Sequence, residues 1–210
     1  MMTPRKLSKN WYGLCDRLTV QKTEAQQVFR DLKQRYGEPH RHYHTLDHIA
    51  HCLTEFKAAR HLAKKPNIVQ LALWFHDCVY EPGNPENEKN SAAVARAFGE
   101  NVGLDPLDRL RAYELIITTQ YVVHPGTDDA RLIWDVDLSS LGLPWEEFAQ
   151  NSRNIREEFK HVPDELFYAG RKALLSKFLK WPSIYCTEFF RERYEAQARA
   201  NLEQTIKGDS

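Results

Sequence analysis

Cysteine is scarce in this chain of 210 residues: Cys15, Cys52, Cys78 and Cys186 lie far apart, and no two of them form a CxxC pair. That spacing argues against a disulfide framework or a cysteine-rich structural zinc site, and it predicts reduced thiols in a reducing compartment. Excess charge of either sign is also missing, since 29 Lys and Arg balance 29 Asp and Glu. Long-range attraction to nucleic acid or anionic lipid is therefore not expected. No apolar stretch approaches the roughly 20 residues of a membrane span, and the basic first residues carry no apolar run of signal-peptide length. Together these absences predict a soluble, cytoplasmic protein with no membrane partner and no long nucleic acid as substrate. Sustained strand alternation, internal repeats and low-complexity tracts are lacking too, which leaves an all-α chain in one domain.

What is present is helical periodicity. Val28, Phe29, Leu32 and Tyr36 recur on one face of a segment from about Gln21 to Tyr36, the pattern of an amphipathic helix. Thr45 is a natural N-cap for a second helix, whose apolar stripe is Leu46, Ile49, Leu53 and Phe56. "NIVQLALWFHDCVY" is apolar nearly all round and reads as a helix buried on most sides. Asn84 and Pro85 then suit the start of a helix through "ENEKNSAAVARAFGEN", and another begins near Asp105 and runs towards His124. "DDARLIWDVDLSSLG" reads as a buried helix ending at Gly142, followed by helices over about 145–159, 164–179 and 187–206. The expected architecture is a single-domain helical bundle over residues 1–210, its chemistry in a core of about 21–142 and the C-terminal helices of 145–206 packed on it.

Histidine is concentrated. Five of the nine fall within "HRHYHTLDHIAH", residues 40–51. At 100° per residue, His44, His48 and His51 lie within about 60° of one another beside the apolar stripe, so their rings can converge. In "WFHDC", His76 and Asp77 end an apolar run, where a buried carboxylate needs a cation or several hydrogen bonds. Asp135 and Asp137 in "LIWDVDLSSLG" pose the same problem. They are about 200° apart on a helix, so only one of them can face a given site. Two imidazoles and two carboxylates from three helices suit a divalent ion such as Mn, Fe, Co, Zn or Mg, with coordination positions left for water and substrate.

This order, H…HD…D, resembles the HD-domain metal-dependent phosphohydrolases, all-α proteins named for the adjacent His and Asp. The blocks "YGEPHRHYHTLDHI", "ALWFHDCVYEPGNPENEKNSA", "DVDLSSLG" and "YEAQARANL" are similar to those of a bacterial subfamily of predicted HD-superfamily phosphohydrolases, over roughly Trp11 to Leu202. The resemblance implies metal ligation by His48, His76, Asp77 and Asp137, with Asp135 in reserve for the last place. "YHTLDH" is also similar to the YHxxxH segment of cyclic-nucleotide phosphodiesterases, which makes His44 a candidate general acid. A second ion through His124 and a bridging Asp77 is the variant that some HD proteins suggest.

The implied reaction is hydrolysis of a phosphoester or phosphoanhydride of a small metabolite or nucleotide by a metal-activated water. Arg41 and Lys89 are candidate phosphate clamps, because phosphoryl transfer rests on positioning and charge neutralisation. Glu88 is a candidate for holding a metal-bound water or orienting a ligand. The remaining histidines carry no expected role. The competing function is a regulatory module that keeps the helices and a metal or ligand without turnover; a third is a structural protein whose amphipathic helices dimerise.

Overall fold

The computed structural model describes residues 3–208, and its only regular elements are helices. They are α1 (Pro4–Arg17), α2 (Lys22–Arg35), α3 (Leu46–Ala59), α4 (Pro66–Phe75), α5 (Asn87–Asn101), α6 (Pro106–Thr118), α7 (Asp128–Leu138), α8 (Trp145–Glu158), α9 (Asp164–Lys180) and α10 (Glu188–Gly208). Short 3-10 turns follow α3 and α7, at Arg60–Leu62 and Ser139–Gly142. The all-α expectation holds. Among the described residues no helix is long and apolar enough to cross a membrane.

α4 is the axis of the fold. It packs against α1, α3, α5, α6 and α7, which is why its sequence is apolar on every side. Gln70, the one polar residue among its buried positions, is held by Asn10 of α1 and by Arg17 and Arg60. α1 lies ahead of the first expected helix; Leu7, Trp11 and Leu14 bury its inner face, and Trp11 meets Trp74 edge-on at 5.5 Å.

α4 ends at Phe75, five residues before the apolar run does, and the reason is chemical. The last carbonyls of a helix have no partner within it. Here His76 Nδ1 sits 3.0 Å from the Leu73 carbonyl, the Tyr36 hydroxyl donates to that of Trp74 at 2.9 Å, and the Cys78 N–H donates to that of Phe75 at 3.0 Å. The chain is thereby turned so that His76 and Asp77 leave the helix axis.

The expected cap at Thr45 is present, accepting from the Asp47 N–H, and at the helix start expected near Asp105 that residue accepts from the N–H groups of Leu107 and Asp108. Asn84 differs. It accepts from the Glu86 N–H within the preceding turn, and α5 begins at Asn87. Gly142 is more than a helix stop, because a Cβ there would lie 2.6 Å from Cβ of Tyr194 on α10. Only glycine permits this close approach of α10 to the turn.

Candidate functional site

Four candidate ligand atoms from three elements meet where α3, the end of α4 and α7 converge. His48 Nε2 lies 3.1 Å from His76 Nε2, 3.1 Å from Asp137 Oδ1 and 3.5 Å from Asp77 Oδ2. His76 Nε2 lies 3.1 Å from Asp77 Oδ2 and 3.3 Å from Asp137 Oδ1. Both imidazoles are buried, while the carboxylates keep a small exposed face.

The donor set fits a divalent cation. Metal–ligand bonds of about 2.1 Å place neighbouring ligand atoms about 3.0–3.4 Å apart in octahedral or tetrahedral geometry, and the five distances span nearly that range. Because His76 Nδ1 faces a carbonyl, which can only accept, it carries the proton; the lone pair of a neutral ring is then on Nε2, directed at the cluster. Without a cation, protons must hold these groups together. Burial opposes charge on His76, yet Asp77 and Asp137 outweigh it and hold the imidazole well above its usual value. Burial would likewise raise both carboxyls, but His76 holds them well below the usual range.

Cys52, one turn after His48 on α3, belongs to the same neighbourhood. Its Sγ is 3.6 Å from His48 Nε2, and the group His48, Cys52, His76 and Asp137 could hold a metal ion. Burial first, then the nearby carboxylates, push this thiol well above its usual value, so in the absence of a metal it is neutral. The i, i+4 spacing of His48 and Cys52 is a sequence signal that the cysteine pattern alone did not disclose.

Asp135 and Asp137 separate as helix geometry requires. Asp137 Oδ1 faces the two histidines, and its Oδ2 accepts from the Tyr121 hydroxyl. Tyr121 has φ of +54°, a left-handed conformation costly for a non-glycine residue, and its ring packs edge-on against Trp134. Asp135 points elsewhere. It accepts from the Cys186 N–H (2.6 Å), the Thr187 N–H (2.7 Å) and the Thr187 hydroxyl (2.6 Å), anchoring the entry to α10. Burial lifts its carboxyl to about 6 despite those donors.

His44 stands beside the cluster, its ring stacked on Tyr80 at 4.1 Å. Its Nδ1 is 2.7 Å from Oε2 of Glu158, at the end of α8. Glu158 is buried and fully engaged: Oε1 accepts from the N–H groups of His42, Tyr43 and His44, and Oε2 also accepts from the Tyr80 hydroxyl. Burial would raise the Glu158 carboxyl, but His44 and these donors bring it down to about 2. For His44, burial opposes the charged form, but the bond to Glu158, with Asp77 and Asp137 nearby, lifts its imidazole above the usual value. This pair fixes the ring and leaves Nε2 for a proton to be transferred. Glu158 lies 114 residues from His44 in sequence, and no local pattern marks it.

Three expected roles need correction. The Arg41 side chain is 0% exposed; its guanidinium donates to Glu38 and to the carbonyls of His44, Asp77 and Cys78, between the rings of Tyr36 and Tyr80. It ties the histidine segment to the HD turn and has no face for phosphate. Lys89 is exposed and pairs with Glu86 at 2.7 Å, and it lines no part of the cavity beside the cluster. His124 stacks on Trp134 at 5.3 Å, with Cys186 Sγ 3.8 Å from its Nδ1, and it does not join the four ligand atoms. His51 does not converge on them either; its Nε2 is 2.8 Å from the Ser139 hydroxyl.

A cavity of about 340 Å³ opens onto Asp77 and Asp137, and His44, Glu88 and Tyr121 also line it. Glu88 is thus brought to the site, and burial raises its carboxyl. A larger cavity of about 780 Å³ lies along the 122–130 segment, lined by His124, Val122 and Val123, and touches none of the four ligand residues. Comparison with protein families, curated proteins and solved structures finds no match.

Proposed function

We propose that this chain is a metal-dependent phosphohydrolase that cleaves a phosphoester or phosphoanhydride of a small metabolite or nucleotide. The observation that carries the reading is one cavity that opens onto both carboxylates of a four-atom cation cage and onto a carboxylate-oriented histidine. The H…HD…D resemblance supports the same reaction class. His48, His76, Asp77 and Asp137 would hold the ion, with Cys52 as a neighbouring donor. When bound, a divalent ion supplies Lewis acidity, lowering the pKa of a water from about 16 to about 7 and drawing charge from a phosphoryl oxygen.

The protein's own groups do the rest. Tyr121 occupies one oxygen of Asp137, which leaves the other directed at His48 and His76. Arg41 fixes the Asp77 and His44 backbones relative to each other. His44, with Nδ1 on Glu158, gives the proton on Nε2 to the departing oxygen, and the raised basicity keeps it charged nearer neutrality.

The test is metal analysis of purified protein followed by hydrolysis of a phosphoester and nucleotide panel by wild type and Asp77→Ala. Metal-dependent turnover that Asp77→Ala abolishes is the expected result. Equal activity in both proteins, or no bound metal, overturns the proposal; metal binding without turnover of any panel member points instead to a regulatory module.

A further inference from the structure

The outer wall of the cavity comes from two helices that contribute no ligand atom. On α8, Phe148, Asn151, Ser152 and Ile155 face it, and on α9, Arg171, Leu174, Leu175 and Phe178 do. Both sets follow i, i+3, i+4, i+7, the spacing of one helix face. Arg171 is the one Lys or Arg among the residues lining the cavity, and its guanidinium donates to the Ser152 hydroxyl at 2.7 Å. The guanidinium is thereby held against α8, with apolar side chains one and two turns further along its own helix.

This chemistry narrows the ligand. A guanidinium presents a planar fork that matches a phosphate oxyanion. A polyphosphate would need several cations along its length, and the wall offers one. Beyond Asn151 and Ser152 the two helix faces are hydrocarbon, with Phe148, Ile155, Leu174, Leu175 and Phe178, and Leu174 keeps 47% of its area exposed, an apolar side chain left for a ligand to cover. The volume of about 340 Å³ is near the lower end of small-molecule sites, which begin at about 300 Å³.

We propose that Arg171, held by Ser152, binds the phosphate oxyanion of a phosphomonoester whose organic part is apolar or aromatic and seats against Leu174 and Phe178. The proposal rests on the phosphohydrolase reading and names its substrate class.

Isothermal titration of the full-length Mn(II)-loaded protein with phenyl phosphate, inorganic phosphate and pyrophosphate tests it. Wild type should bind phenyl phosphate most tightly. Arg171→Met should weaken phenyl phosphate and inorganic phosphate alike, by about tenfold or more, and Leu174→Ala should weaken phenyl phosphate alone, by about threefold. Mn(II) uptake should be unchanged in both variants. Arg171→Lys, which keeps the charge but loses the fork, should fall between wild type and Arg171→Met, and it replaces that variant if Arg171→Met does not fold. Binding of the phosphates by Arg171 variants as tightly as by wild type, or preference of wild type for pyrophosphate or inorganic phosphate over phenyl phosphate, overturns the proposal. If wild type takes up no Mn(II), the hydrolase reading fails separately, and the same titrations on metal-free protein still decide the role of Arg171.

Discussion

α4 buries eight of its ten residues, Ile68 through Phe75, whereas α9, at 17 residues, buries three, Phe167, Leu175 and Phe178. The turn after α4 brings Asp77 to the cavity that α9 walls. The ligand cluster is attached to the densely packed side, where α3, α4 and α7 leave His48 and His76 almost no freedom. The wall of α8 and α9 is mixed: Phe148, Leu175 and Phe178 are buried, while Leu174 is exposed and can change without disturbing a core. Fixed metal geometry requires the first arrangement, since ligands must be held closely to bind one ion. Ligand selection tolerates the second.

Substitutions should break the two sides unequally. The largest effect is expected at the cluster: His76→Ala should reduce hydrolysis to background and abolish Mn(II) binding, measured by calorimetry alongside the rate. Next comes the proposed acid. His44→Ala should retain the metal but lower kcat by about 10²–10⁴-fold, most for substrates with poor leaving groups.

Glu158→Gln should cost about 10–100-fold and should also move a pH profile. Glu158 raises the His44 basicity, so its removal should shift the alkaline limb of kcat to lower pH; an unmoved limb would separate His44 from the proton transfer. On stability, Trp74→Ala should cost about 3–5 kcal/mol, while Leu174→Ala on the exposed wall should cost less than about 1 kcal/mol, both read from denaturant unfolding. Smallest of all, Lys89→Ala should leave stability, metal binding and rate unchanged, since the side chain is exposed and pairs with Glu86 at the surface.

The same contrast explains how much of the molecule was legible in its sequence. Helical periodicity located most of the bundle because each helix shows its own apolar face within a few turns. It overran the end of α4, where the turn depends on Tyr36 and the His76 ring, groups that periodicity does not weigh. His76 and Asp77 were legible because an imidazole and a carboxylate at the end of an apolar run violate the local pattern, and the H…HD…D resemblance then singled out His48 among the clustered histidines. The choice between Asp135 and Asp137 was not, since it depends on where Cys186 and Thr187 begin α10. Arg41 looked like a phosphate clamp because a surface guanidinium and one buried among carbonyls read alike in sequence. Glu158, Tyr121 and Arg171 lie on ordinary amphipathic segments or their ends, and only tertiary contact gives them a place at the cavity.

Metal analysis of wild type, Asp137→Asn and Asp135→Asn tests the cation site most directly, because the two aspartates share a helix and a buried setting but only one faces the histidines. A bound divalent ion in wild type, lost in Asp137→Asn and kept in a less stable Asp135→Asn, is the expected result. No ion in wild type, or equal retention in Asp137→Asn, would contradict it.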